Sequence, residues 1–105
     1  MKQNYSVPTL VINIEREYFA EILAIPRRKH VEYRDIKKYW TDRLDRVGKP
    51  PFNLRMLNGM TPPVPEATVH VIKVVPNKRT GKYEIHLGRV LEVKNWDRRK
   101  ECPKK

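Results

Sequence analysis

The spacing of apolar residues changes along the chain between two and three to four, which predicts a mixture of strands and helices. Residues 8–14 are rich in β-branched side chains and predict a buried first strand. An amphipathic helix is expected next, because Tyr18, Phe19, Ile22 and Leu23 fall at the spacing of one helical face. Pro26 stops this helix.

A second helix is predicted after a short β-prone segment at residues 29–34. Asp35 is suited to its N-cap and Gly48 to its C-terminal end. The apolar face of this helix would consist of Ile36, Trp40, Leu44 and Val47. Trp40 is therefore interpreted mainly as a core residue, with base stacking as the alternative.

The C-terminal half of the chain predicts a series of strands. They are expected at residues 52–57, 67–75 and 83–88, with a tight turn at Asn58–Gly59 and a basic hairpin loop at 76–82. Residues 90–93 either continue the last strand or start another after a kink at Gly88. Residues 60–65 carry three prolines and predict either the rim of a pocket or a rigid connection. Five or six strands and two helices make an α+β fold with a mostly antiparallel sheet.

A length of 105 residues allows one domain with one core. We assign the domain to residues 1–93. Residues 94–105 form a basic C-terminal tail, which we interpret as a frayed arm that binds phosphates. The formal net charge of +11 favours an anionic partner, more commonly nucleic acid than lipid. The excess is concentrated between residues 27 and 55, where ten basic residues face four acidic ones.

Lys29, Glu32 and Arg34 form the most informative cluster of the sequence. Side chains alternate along a strand, so Glu32 and Arg34 would share one face, and Lys29 could join them from the preceding turn. Such a cluster is either a solvated ion pair on the surface or the charged floor of a functional cavity. We hypothesise that these residues form the positively charged floor of a small cavity, in which Glu32 is the lone carboxylate.

Lys29-x-x-Glu32-x-Arg34, with the aromatic and basic stretch that follows, resembles the motif Gly-x-Lys-x-x-Glu-x-Arg of the ASCH domain family. The likeness extends from about residue 10 to 93, and Arg27 stands at the position of the family's glycine. This resemblance implies a small PUA-like β-barrel and nucleic-acid binding, mostly of RNA. Some members are small hydrolases of modified nucleosides, or ribonucleases.

In the binding hypothesis, basic side chains contact phosphates while an aromatic ring stacks on an unpaired base. The residues expected to bind nucleic acid are Lys29, Tyr33, Arg34, Lys37, Lys38, Arg55, Asn58, Trp96, Arg98 and Arg99, and Tyr39 is a further stacking candidate. Trp96 could equally be a lid on the core.

In the alternative, the protein is a metal-independent hydrolase of RNA or an acylated nucleoside in which Lys29 and Glu32 are catalytic. Family members that hydrolyse acylated cytidine use the motif lysine, with threonine at the position of Glu32 and a later glutamate, for which Glu66 and Glu84 are candidates. A role as a protein-interaction module is the third possibility.

The remaining residues predict few other chemistries. Cys102 is the only cysteine and the three histidines lie in separate segments, so no metal or other cofactor is expected. No apolar run approaches the length of a membrane span or resembles a signal peptide. We expect a monomeric cytoplasmic protein with no membrane partner.

Overall fold

Alternating apolar side chains build a curled sheet whose inner face carries the core. The structure is a computed structural model that describes residues 7–104. Its helices are α1 (Arg16–Leu23) and α2 (Lys38–Val47). Its strands are β1 (Thr9–Asn13), β2 (Val31–Asp35), β3 (Phe52–Leu57), β4 (Glu66–Asn77), β5 (Lys82–Lys94), β6 (Trp96–Asp97) and β7 (Cys102–Pro103).

Five strands form one mixed sheet in the order β1-β3-β4-β5-β2. The β1–β3 pair is parallel and the other three pairs are antiparallel. The sheet curls into a half-barrel, and β1 and β2 form its two edges. The predicted α+β class, the two helices and the mostly antiparallel pairing are therefore confirmed. No helix within residues 7–104 is long and apolar enough to cross a membrane.

The core lies between the inner face of the sheet and the two helices. Phe52, Leu54 and Met56 of β3 are fully buried, as the period of two predicts. Phe19, Ile22 and Leu23 supply the buried face of α1, and α2 adds Leu44. Trp40 is partly buried and packs against this core. Gly48 ends α2 with a positive φ of 89° and donates its N–H to the Leu44 carbonyl.

The start of α2 differs from the prediction. Its N-cap is Lys37, whereas Asp35 is the last residue of β2. Asp35 pairs with Lys82 across the β2–β5 ladder, and this contact extends the strand through the position predicted as the cap. As a result, Ile36 precedes the helix and is 37% exposed instead of lying on its buried face.

The long hairpin of β4 and β5 differs from the prediction in its loop, whereas its return strand is continuous, which is one of the two predicted alternatives. Ladder pairs reach Asn77–Lys82, so the loop is shorter than predicted, and β5 continues through Gly88. The pairing register between β4 and β5 shifts at three places between Thr68 and Lys73, and β5 nevertheless remains one continuous strand. A Cβ atom at Gly88 would lie 3.2 Å from side-chain atoms of both His70 and Ile72, so another residue would fit only if these side chains shifted by a few tenths of an ångström.

The C-terminal segment is packed on the domain and is not a frayed arm. Trp96 is 2% exposed, and its ring meets Phe19 edge to face at a centroid distance of 5.0 Å. β6 and β7 pair as a short hairpin, and Arg98 donates from Nε to the Leu23 carbonyl at 2.9 Å. The described residues after 93, 94–104, therefore pack over α1, where Trp96 completes the core.

Trp96→Ala should destabilise the protein by about 3 kcal/mol or more, because a fully buried indole leaves a cavity that the neighbouring side chains cannot fill. The measurement is urea unfolding followed by circular dichroism. Arg99→Ala is the control, since Arg99 is an exposed residue of the same segment. Equal unfolding midpoints for the two variants would contradict the proposed packing of the tail.

Candidate functional site

Strand β2 directs two charged side chains to the inner face of the sheet. Glu32 lies opposite Ile85 and Arg34 opposite Tyr83 in the β2–β5 ladder. Glu32 is only 5% exposed and is the one charged residue that is buried in the described part of the chain. A buried carboxylate is costly unless it is paired, so the geometry around Glu32 determines what this region can do.

Arg34 satisfies the Glu32 carboxylate and joins the two edges of the sheet. Its Nε and Nη2 donate to Glu32 Oε2 at 2.9 and 2.6 Å. The same Nη2 donates to the carbonyl of Asn13 on β1 at 3.0 Å. The guanidinium also lies 4.9 Å from the Trp40 ring of α2. One side chain therefore connects β2, β1 and α2.

Lys29 approaches the same carboxylate from the turn before β2, as its sequence position predicts. Its Nζ lies 3.6 Å from Glu32 Oε1, and its side chain is 15% exposed. The ammonium also lies 5.1 Å from the Tyr18 ring centroid and 4.9 Å from that of Tyr33. Two tyrosines thus hold the lysine beside the carboxylate oxygen that Arg34 leaves open.

Glu32, Tyr33 and Arg34 line a cleft of about 350 Å³ between the edge strands. Lys29 is not among its lining residues, and it adjoins the cleft through its contacts with Glu32, Tyr18 and Tyr33. An adjoining hollow of about 360 Å³ shares Asn13, Arg34 and Trp40 with the cleft and adds Tyr39 and Arg43 of α2. Arg43 lies 4.4 Å from the Tyr39 ring. We call the two hollows together the edge cleft. It offers exposed aromatic rings, hydrogen-bonding groups and cations in one continuous surface.

The charges inside the edge cleft differ from the predicted positive floor. Glu15, Glu32 and Asp35 line the first hollow together with Arg34 and Lys82, and the charge of Lys29, which pairs with Glu32, adds to that of the two lining cations. The hydrogen bond and charge of Lys82, together with Lys37, lower the pKa of Asp35. The excess of positive charge instead lies toward α2, at Arg43. The edge cleft therefore combines one hollow whose charges nearly cancel with an adjoining hollow whose charged lining is Arg34 and Arg43.

Of the predicted site residues, the structure brings together Lys29, Glu32, Tyr33 and Arg34. Lys37 and Lys38 lie beside them at the start of α2, with side chains 74% and 88% exposed. Tyr39, the additional stacking candidate, is 58% exposed at the outer end of the cleft.

Other predicted residues lie elsewhere. Arg55 is on the outer face of the sheet, where it pairs with Glu66 at 3.0 Å. That hydrogen bond, reinforced by the charge of Arg55, lowers the pKa of Glu66. Strand alternation places Glu84 on the outer face as well, where Asn77 and His86 lower its pKa. Both glutamates therefore lie on the opposite face of the sheet from Glu32 and Arg34.

Asn58 and the C-terminal candidates have structural contacts. Asn58 donates to the Ile14 carbonyl at 2.9 Å and accepts from Arg16 at 3.2 Å. Trp96 is buried and has no open ring face for a base. Of its two predicted roles, base stacking and covering the core, the structure therefore favours covering the core. Arg98 caps a carbonyl of α1, whereas Arg99 is exposed on the β6–β7 turn.

Sequence reasoning missed part of the edge cleft. Asn13, Tyr18, Arg43 and Lys82 enter it from four separate elements, which no local pattern connects. A signal for Arg43 was present, because Tyr39 and Arg43 are four residues apart on a predicted helix and therefore neighbours. The proline-rich loop at residues 60–65 does not line the edge cleft.

No group of three or more His, Cys, Asp or Glu side chains within residues 7–104 could hold a metal ion. The Lys29–Glu32–Arg34 cluster itself offers a carboxylate, two cations and the aromatic rings that contact them. These groups suit the hydrogen bonding and stacking of a planar polar ligand.

Glu32→Gln should destabilise the fold by about 3 kcal/mol, because it leaves two poorly solvated cations without their buried counterion. Asp42→Asn is the matched control, since the Lys38–Asp42 pair is largely exposed and contributes little. Urea unfolding of both variants provides the measurement. If Glu32→Gln is no less stable than Asp42→Asn, Glu32 does not organise the site.

Comparison of the chain with protein-family models, with curated proteins and with solved structures found no match.

Proposed function

We propose that the protein is an RNA-binding domain related to the ASCH family, with a PUA-like half-barrel, and that it holds an unpaired base in the edge cleft. The observation that carries the proposal is the Glu32 carboxylate, clamped by Arg34 and Lys29 inside an aromatic-lined cleft. All three residues come from the segment on which the resemblance to the family rests.

The aromatic side chains support stacking. Tyr18, Tyr33 and Tyr39 are 41%, 49% and 58% exposed, so a ligand can reach their rings. Large exposed rings around one cleft suit the flat faces of nucleobases, which stack on aromatic side chains whatever their sequence. Trp40 lies against Arg34 and Tyr39, and it therefore supports the wall more than it offers a free face.

The interior of the edge cleft supports recognition of a base edge. Glu32 and Asp35 are hydrogen-bond acceptors, and Lys29 and Lys82 are donors. Exocyclic amino groups and ring nitrogens of an unpaired base present the complementary pattern. The charge-balanced interior fits a neutral base better than a phosphate.

The basic surface of α2 supports phosphate binding outside the cleft. Arg43 lines the second hollow of the cleft. Lys37 and Lys38 lie at the start of the helix with highly exposed side chains, where they pair with Asp35 and Asp42. With a net charge of +11 for the whole chain, long-range attraction to an RNA backbone is strong. The backbone would therefore follow α2 while one base enters the cleft.

Fluorescence anisotropy with a labelled single-stranded RNA tests this proposal. Binding should weaken steeply with increasing salt, because phosphate contacts release counterions. Tyr33→Ala should weaken it about ten-fold through lost stacking, and Lys29→Ala should do so by a similar factor. A fully paired duplex of the same sequence should bind more weakly than the single strand, since its bases cannot enter the cleft.

Arg55→Ala is the matched control, because it removes the same charge as Lys29→Ala from the other face of the sheet. Its affinity should stay within about two-fold of the unmodified protein. Binding that is indifferent to salt, or that Arg55→Ala and Lys29→Ala reduce equally, would exclude the edge cleft as the RNA site.

A second candidate function is hydrolysis of an acylated nucleoside or of RNA. It is favoured by one specific observation, the Lys29 ammonium 3.6 Å from Glu32 Oε1 in a cleft that shields both side chains. A lysine so placed could exchange a proton with the carboxylate while a ligand is held on the tyrosines. Arg34 argues against hydrolysis, because it already binds the other carboxylate oxygen of Glu32.

Turnover assays with N4-acetylcytidine and with RNA distinguish this candidate from binding alone. If the site is catalytic, Lys29→Ala should lower kcat at least about 100-fold, the usual contribution of a general acid or base. Tyr39→Ala, at the outer end of the cleft, should change mainly KM. Turnover that survives Lys29→Ala would rule out the catalytic assignment.

A further inference from the structure

A second basic region lies outside the edge cleft, where α1 ends and β5 passes Gly88. A shallow hollow of about 570 Å³ is lined there by Ala24, Ile25, Arg27, Arg89, Val90 and Arg98, among others. It shares no lining residue with either part of the edge cleft. Its charged lining consists of three arginines and includes no carboxylate. We call it the arginine hollow.

Two of these arginines are held in place by backbone carbonyls. Arg27 donates from Nε to the Ile22 carbonyl at 3.1 Å and from Nη1 to the Leu87 carbonyl at 3.3 Å. Arg98 donates from Nε to the Leu23 carbonyl at 2.9 Å. The bonds to Ile22 and Leu23 cap the last turn of α1, and together with the bond to Leu87 of β5 they fix the orientation of both guanidinium groups.

Capping uses only part of what the two guanidiniums offer. Each has five N–H donors, and within residues 7–104 Arg27 Nη2 and both Nη atoms of Arg98 make no hydrogen bond. No ion pair within that range involves Arg27, Arg89 or Arg98. Preoriented donors without a counterion are what an anion site requires.

The electrostatics of the arginine hollow also favour the binding of an anion. Burial and the charge of Arg98 lower the pKa of Arg27, which means that its cationic form is disfavoured by its surroundings. An anion between the two guanidiniums would remove that repulsion. The exposed Ile25 beside them gives a bound group an apolar neighbour.

We propose that the arginine hollow binds a phosphate monoester group. The fork geometry of guanidinium matches both carboxylate and phosphate, but three arginines suit the charge of a monoester, close to −2 at neutral pH, better than a single negative charge. The group belongs either to a free mononucleotide or to the terminal phosphate of an RNA strand. This site is independent of the base-binding role of the edge cleft.

Titration of the intact protein with inorganic phosphate at constant ionic strength tests the site. The arginine Nε–H resonances of Arg27 and Arg98 should shift and saturate in a ¹⁵N-resolved NMR spectrum. Arg89→Ala should weaken phosphate binding about ten-fold, the loss expected for one charge-assisted hydrogen bond. Arg89 is exposed and makes no hydrogen bond through its side chain within residues 7–104, so the fold should be unaffected.

Arg79→Ala is the charge-matched control, because Arg79 is exposed on the β4–β5 turn and does not line the hollow. Shifts that grow without saturation, or equal weakening in the two variants, would overturn the proposal. Acetate should compete poorly, and a site that prefers it to phosphate would likewise overturn the assignment. Adenosine 5′-monophosphate and an RNA with or without a 5′-phosphate then distinguish the two sources.

Discussion

The burial of one carboxylate organises the open side of this half-barrel. Glu32 lies on the inner face of an edge strand, where a hydrophobic residue would ordinarily complete the core. Removing a carboxylate from water is unfavourable, and only paired charges and hydrogen bonds compensate for it. Arg34 supplies them and, through the Asn13 carbonyl, ties the second strand to the first. The edge cleft exists because this contact joins the two edges by a polar side chain and not by a backbone ladder.

The pairing of Glu32 with Arg34 and Lys29 also explains why the charge differs between the two hollows of the edge cleft. Lys29 and Arg34 balance the carboxylate within the cleft, so its interior is close to neutral although the chain carries +11 overall. The surplus lies on α2 and on other outward surfaces. A ligand with a planar polar part and a charged backbone matches this arrangement, since each part meets the environment that it prefers.

Arginine side chains repeatedly bind backbone carbonyls where regular hydrogen bonding ends. Arg34 does so at the end of β1, and Arg27 and Arg98 do so at the end of α1. Such bonds satisfy carbonyls that have no partner in a helix or sheet, and they immobilise a guanidinium whose remaining donors face outward. Structural capping and preorganisation for anions are therefore compatible roles of the same residues.

Local patterns in the sequence determined most elements, and the three-dimensional contacts decided how they are used. The buried faces of α1 and β3, the cap at Gly48 and the shared face of Glu32 and Arg34 followed from periodicity and from local backbone preference, which act over a few residues. The strand order, the end of β2 at Asp35 and the burial of Trp96 depended on partners far along the chain, such as Lys82 and Phe19. The site divides in the same way. Lys29, Glu32 and Arg34 are close in sequence, whereas Asn13, Tyr18 and Arg43 meet them only because the sheet curls, and the energies of such long-range contacts leave no periodic trace in the sequence.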